Sequence, residues 1–245
     1  MVIKTNTLKL DILAIAAHPD DVELSCSGTI LKHIDSGNSC GILDLTKGEL
    51  GTRGSAAERV AEAEASASIL GLSYRENLGM KDGFIEYSEI NLQRIISKIR
   101  MTRPEIVLLN APRDRHPDHG NASKLSRDAC YYSGLSKFRT THQLIAQQPW
   151  RPKCVYYYIQ DYTLEPDFVV DVSPFLDRKF ESIMAFKTQF FEQGMSGPQT
   201  PISGKEFMDY LKARMQQWGR PIGADYAEGF IADRTIGISD LFALT

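Results

Sequence analysis

Three of the chain's five histidines fall in two short motifs that share the order His-Pro-Asp. The first, Ala16-Ala17-His18-Pro19-Asp20-Asp21, closes the apolar run LDILAIAA. The second, Arg115-His116-Pro117-Asp118-His119, comes shortly after the apolar run EIVLLN. Imidazoles and carboxylates in this proportion are the ligand set of a catalytic zinc site that keeps one position open. Each proline drives the histidine before it into an extended conformation and fixes its own φ at about −65°. The chain turns there, which can present His18 and Asp21 to one point. A helix beginning near Val22 would hold Asp20 and Asp21 at its positive end, favouring their ionised forms. The plainer alternatives are that Asp-Asp only caps a helix and that HPDH is an ordinary polar loop. The matched settings of the two motifs favour the metal site; His33 and His142 have no such setting.

The elements that must position these residues are legible as an alternation. Strands are expected at 10–17, 40–46, 73–79 and 105–110, with helices at about 22–36, 55–70 and 88–102 between them. Ser55 and Glu58 form a capping box that starts the second helix, and Gly71 ends it. Pro104 ends the third, because the residue before proline avoids helical geometry. Strand and helix in turn imply parallel strands, right-handed crossovers and helices on both faces. The expected fold is therefore α/β, a Rossmann-like, doubly wound, mostly parallel sheet. Beyond residue 135, strands at 154–160 and 167–173 and helices at 175–191 and 204–218 form a C-terminal α/β elaboration, with the loop-like EQGMSGPQTPISG between those helices. No internal repeat or linker divides the chain, so residues 1–245 read as a single domain.

In such sheets ligands gather beyond the carboxyl ends of the strands, and in the common order the first and fourth strands are neighbours. The two motifs would then meet at one crevice. The Gly-rich KGELGTRGS (47–55) follows the second strand and can overhang the same place. Its Arg53 would suit a carboxylate or vicinal hydroxyls, the bland alternative being a solvated loop arginine.

Hydrophobic content of 42% and charged content of 24% describe an ordinary globular chain. A net charge of −3, from 28 basic and 31 acidic residues, with no basic strip, argues against nucleic acid or an anionic membrane as partner. Cys26, Cys40, Cys130 and Cys154 are far apart and fit free thiols in a reducing cytoplasm. The run Ile12 to Ala17 is too short for a membrane span and lacks a cleavage site, so neither anchor nor signal peptide is expected. No G-x-G-x-x-G, P-loop or G-x-S-x-G is present.

AHPDD after an N-terminal strand, the GE-x-GTRG loop and HPDH after a later strand resemble the LmbE-like zinc deacetylases, relatives of the phosphatidylinositol-glycan deacetylases. AHPDDVELSCSGTI, DRHPDH and YAEGF look most like the bacillithiol-biosynthesis branch, whose cytoplasmic enzymes remove acetate from N-acetylglucosaminyl malate. The resemblance implies one zinc ion per chain, held by His18, Asp21 and His119, although ferrous iron accepts similar ligands. It implies Asp20 as the general base, His116 as the group that stabilises the tetrahedral intermediate or protonates the leaving amine, and Asp118 as the carboxylate that orients His116. Arg53 and Asp82 resemble sugar contacts. The resemblance also implies a homo-oligomer, trimeric or hexameric.

These roles suit amide hydrolysis: three protein ligands leave room for water, and a neighbouring carboxylate can take its proton. The chain departs from the pattern at Ser27, where many relatives have glycine, and at Asp114, where some have a tyrosine. Arg113 and Arg115 flank Asp114, and Arg115 in particular could meet an anionic group such as malate or pair with a nearby acid. Tyr226, Glu228 and Phe230 are candidates to close over a substrate. Two rivals stand beside an N-acetylglucosamine-conjugate deacetylase: a deacetylase of another amide, and a non-catalytic small-ligand-binding protein whose crevice holds metal. The spare carboxylate of Asp20 weighs against the second.

Overall fold

The computed structural model describes residues 8–190, 198 and 200–243. The first strand, β1 (Ile12–Ala16), is buried at all five positions, as expected of a parallel strand covered on both faces. Its alternate side chains feed two cores. Leu13 and Ile15 pack with Leu92, Ile95, Ile99 and Leu125, whereas Ile12 and Ala14 pack with Val22, Ile30 and Ile42.

The chain continues through α1 (Asp21–Asp35), β2 (Cys40–Thr46), α2 (Ala56–Leu70), β3 (Tyr74–Met80), α3 (Glu89–Thr102), β4 (Ile106–Asn110) and α4 (Pro117–Tyr132). A short hairpin, β5 (Thr141–His142) and β6 (Ile145–Ala146), precedes β7 (Cys154–Tyr158) and β8 (Phe168–Asp171). Then come α5 (Leu176–Met184), α6 (Lys205–Gly219) and β9 (Ala227–Ala232). The main sheet has the order β3-β2-β1-β4-β7-β9-β8. The first five strands in that order are parallel, and β9 runs antiparallel to both of its neighbours. The expected doubly wound α/β fold is present, with β1 beside β4.

The capping box of α2 is formed by Ser55 and Glu58, and Gly71 ends the helix in the left-handed region. Two features differ from the expectation. Strand β9 takes up AEGF of the YAEGF motif, where a buried acid and a glycine interrupt any apolar run. Helix α5 stops at Met184 rather than 191, because the chain turns to place Phe186 and Phe190 in the core and to lend the Thr188 N–H and hydroxyl to Glu62. Much of the loop-like segment 192–204 lies outside the described residues.

Helix α1 is broken at Cys26, whose φ of −144° and ψ of 16° are not helical. The break strands backbone groups on both sides, and burial makes each one costly unless paired. Lys179 Nζ donates to the carbonyls of Glu23 and Leu24 at 2.8 and 3.0 Å. Glu228 accepts from the N–H groups of Gly28 and Thr29 at 2.9 and 2.7 Å. Gly28 is required here, since a Cβ would stand 2.8 Å from Val172 Cβ and 2.9 Å from Glu228 Oε1. Ser27 is accommodated by donating its hydroxyl to Glu23 O at 2.7 Å.

Candidate active site

Beyond the carboxyl ends of β1, β2, β4 and β7 lies a cleft of about 330 Å³. Loop 17–20 follows β1 and is tied to β4 by the Ala17 N–H, which donates to Asn110 Oδ1 at 2.9 Å. Asp20 takes a φ of 114°, a strained value for a side-chain-bearing residue and one found at functional sites. It leaves the helix end uncapped and turns its carboxylate to Arg59, with Nη2 to Oδ2 at 3.0 Å. The same guanidinium donates to Pro19 O. His116 is the N-cap of α4 and Pro117 its first residue, the position proline favours.

The two motifs meet. His18, His116 and His119 each offer a ring nitrogen within 4.8 Å of the others. Asp21 lies between two of them, with Oδ1 3.3 Å from His119 Nε2 and Oδ2 3.7 Å from His18 Nδ1. Gln160 Nε2 donates to Asp21 Oδ1 at 2.8 Å and Asn110 Nδ2 to Oδ2 at 2.9 Å, fixing its rotamer.

The outer nitrogens of His18 and His119 face carboxylates, the surroundings that metal-ligating histidines favour. His119 Nδ1 donates to Asp114 Oδ2 at 2.6 Å, which leaves Nε2 to face Asp21. His18 Nε2 is buried without a well-directed hydrogen bond and lies 3.0 Å from Asp82 Oδ1 and 3.4 Å from Asp118 Oδ2. His18, Asp82 and Asp118 could themselves embrace a cation. Both carboxylates, however, are committed to backbone donors: Asp82 to Leu50 N, and Asp118 to Gly83 N and Ile85 N. The donor set of His18, Asp21 and His119 could hold a metal ion, with Asp21 and His119 fixed by hydrogen bonds and His18 backed by two carboxylates.

The placement corrects three expectations. Asp118 does not direct its carboxylate to His116; that group anchors residues 83–85 beneath His18. What reaches His116 is the Asp118 backbone N–H, which donates to Nδ1 at 3.2 Å and so leaves the proton on Nε2 of the neutral ring. Arg53 is not among the described residues that line the cleft; its Nη1 donates to Pro198 O at 3.3 Å. The cation that lines the cleft from α2 is Arg59. Tyr226, Glu228 and Phe230 do not close over the cleft, because β9 carries Glu228 and Phe230 into the interior. Its wall comes instead from Gln189, Ile202, Phe207, Leu211 and Arg214. Asp82 and Arg115 do line the cleft, with Arg115 Nε paired to Asp161.

The two adjacent aspartates titrate in opposite directions, which the helix end alone does not foretell. Burial pushes Asp20 up to about 7, against the pull of Arg59. Burial also opposes the charge on Asp21, but the charge and hydrogen bond of His119, with those of His18, hold it well below the usual carboxylate range. Burial, then the charges of His18 and His119, lowers His116.

Comparison with known proteins gives one family. The model of the family described as PIG-L, GlcNAc-PI de-N-acetylase, matches residues 13–130. Diacetylchitobiose deacetylase of Thermococcus kodakarensis is 31% identical over 228 residues, covering 89% of this chain and 81% of that protein. The chain belongs to the PIG-L family. Among solved structures, the conserved protein TT1542 from Thermus thermophilus superposes with a TM-score of 0.83 at 34% identity, over 95% of this chain and 98% of that one. The diacetylchitobiose deacetylase of Pyrococcus horikoshii gives a TM-score of 0.77 at 27% identity, over 90% and 82%. Both histidine motifs of this PIG-L family chain lie within the matched span.

Among the described residues no helix is long and apolar enough to cross a membrane. Cys26, Cys40, Cys130 and Cys154 are free thiols.

Proposed function

We propose that the chain is a metal-dependent hydrolase that removes the acetyl group from an N-acetylglucosamine conjugate, with N-acetylglucosaminyl malate as the substrate favoured by its sequence motifs. The observation that carries this reading is the convergence of His18, Asp21 and His119 with a second carboxylate, Asp20, held beside them by Arg59. A site built only to bind a cation has no use for that carboxylate.

His18, Asp21 and His119 would hold the ion, zinc by the donor set, with ferrous iron as the alternative in the cell. When bound, it supplies a Lewis acid that polarises the amide carbonyl and acidifies water. Asp20, pushed up to about 7, is matched to take a proton near neutral pH and to release it afterwards. His116, with its proton on Nε2, donates toward the oxyanion or the leaving nitrogen. Asp82 and Arg115 are assigned to the substrate on the strength of their place in the cleft. Four unpaired cysteines support a reducing, cytoplasmic setting. Exposed Ile236, Ile238, Leu241 and Phe242 support burial against another copy in a homo-oligomer.

The test is release of free amine from N-acetylglucosaminyl malate, N-acetylglucosamine and diacetylchitobiose, with metal content measured in parallel. Asp20→Asn is expected to keep its zinc and to lose turnover by about 10²–10⁴-fold. Full turnover in that variant would remove the assigned mechanism, and equal rates on all three amides would remove the malate assignment.

A further inference from the structure

Among the described residues, one cation of the cleft has no counter-charge in contact with it. Arg214 projects from α6 on the same face as Phe207 and Leu211, seven and three residues earlier, and all three line the cleft. Only 7% of Arg214 is exposed, and among the described residues its Nε and Nη1 find no hydrogen-bond partner. The guanidinium lies 5.4 Å from the ring of Tyr210 and 5.2 Å from that of Trp218, which pack against it. The neighbouring acids are otherwise engaged. Asp161 is paired with Arg115, and Asp114 serves His119 and the N–H groups of Asp161 and Tyr162.

A buried charge with unmet donors is destabilising on its own. Burial does pull the Arg214 guanidinium below its usual value, but arginine remains protonated throughout the working pH range. Its planar fork of N–H groups matches the two oxygens of a carboxylate or phosphate. The other arginines lining the cleft are occupied, Arg59 by Asp20 and Arg115 by Asp161.

We propose that Arg214 is the residue that reads an oxyanion, carboxylate or phosphate, carried by the substrate away from the amide that is cut. The cleft is thereby a receptor for anionic conjugates in preference to neutral oligosaccharides. This rests on the amide-hydrolase reading above. It also moves to Arg214 a role that sequence alone offered to Arg115.

The experiment compares three N-acetylglucosamine glycosides that differ at one point of the aglycone: a carboxylate, its methyl ester and a phosphate. For the metal-loaded protein, kcat and KM are measured for each with Arg214, Arg214→Gln and Arg214→Lys. The ratio of kcat/KM for a charged substrate over the ester is expected to fall at least about tenfold in Arg214→Gln, mostly through KM, with partial recovery in Arg214→Lys. Whichever charged glycoside is favoured by the parent names the group. An equal loss on all three substrates, or no loss at all, would overturn the proposal. Calorimetric titration with the corresponding free amines runs beside the kinetics. Charge preference that depends on Arg214 in binding, with no amine released from any glycoside, would refute the hydrolase reading and leave the anion site standing. Hydrolysis without such preference would do the reverse.

Discussion

Lys179 and Glu228 meet 2.8 Å apart, both fully buried, at the break in α1. Each satisfies the other and also the backbone groups that Cys26 leaves without helical partners. Removing one partner strands a charge and two backbone groups together. Lys179→Met is therefore expected to lower stability by about 3–5 kcal/mol, with Glu228→Gln smaller but in the same direction. Urea midpoints for the two single variants and the double variant check this. A coupling energy near zero in that cycle would show that the pair acts independently.

That pair marks where the sequence stops being informative. The strand-helix alternation and the neighbouring of β1 and β4 are local patterns with a general topological consequence, so the meeting of His18 with His119 was legible. Glu228 was visible only as part of a motif, because a buried acid inside a strand looks like an interruption until its partner, 49 positions away at Lys179, is known. Arg59 is hidden in the sequence for a similar reason. Within AAERVAEAEA it reads as a solvated helix charge, while Arg53 in a Gly-rich loop reads as a ligand contact. Packing reverses this, since α2 turns Arg59, Glu62 and Ser66 inward. Asn110 and Gln160 carried a weaker signal that could have been used: each stands where an apolar strand run beyond which ligands gather gives way to polar residues.

Arg59 fixes the direction of Asp20 by a 3.0 Å contact and the strained turn by a bond to Pro19 O. Arg59→Met frees the carboxylate to swing while leaving His18, Asp21 and His119 untouched. Turnover is expected to fall by roughly 10²-fold, the scale of a misplaced catalytic group, with zinc content preserved. Arg59→Lys, which keeps the charge without the fork, should lie between. Steady-state kinetics with metal analysis distinguishes this from loss of the ion, which would lower both together.

Asp114 holds His119 at 2.6 Å and so determines which ring nitrogen faces Asp21. In the proposed mechanism its carboxylate acts through His119 rather than on substrate. Asp114→Asn is expected to weaken zinc affinity by about 10–100-fold. Chelator competition measures this directly. Thermal unfolding gives a second reading, because an ion at 100 times its Kd adds about 2.7 kcal/mol to stability. The parent should lose that increment on chelation and regain it on adding zinc, and Asp114→Asn should need more zinc to do so.

Cys40, buried at the start of β2 beside Ile12 of β1, gives the fold an alkaline limit. Burial pushes its thiol up to about 12 from an ordinary value of 9.0. In the unfolded chain the thiol ionises first, so between about pH 9 and 12 the unfolded state binds fewer protons than the native one. Stability is fully present below about pH 9 and falls as pH rises through that window, by about 1.4 kcal/mol per pH unit for one such group. Cys40→Ala is expected to make the decline shallower by that slope, seen as urea midpoints that converge with the parent's between about pH 9 and 11. The same burial shields Cys26 and Cys130, whose thiols are also pushed up, while Cys154 is only half-buried. A disulfide reagent at about pH 8 should accordingly titrate about one thiol in the native protein, since attack requires the thiolate, and all four once urea has unfolded it.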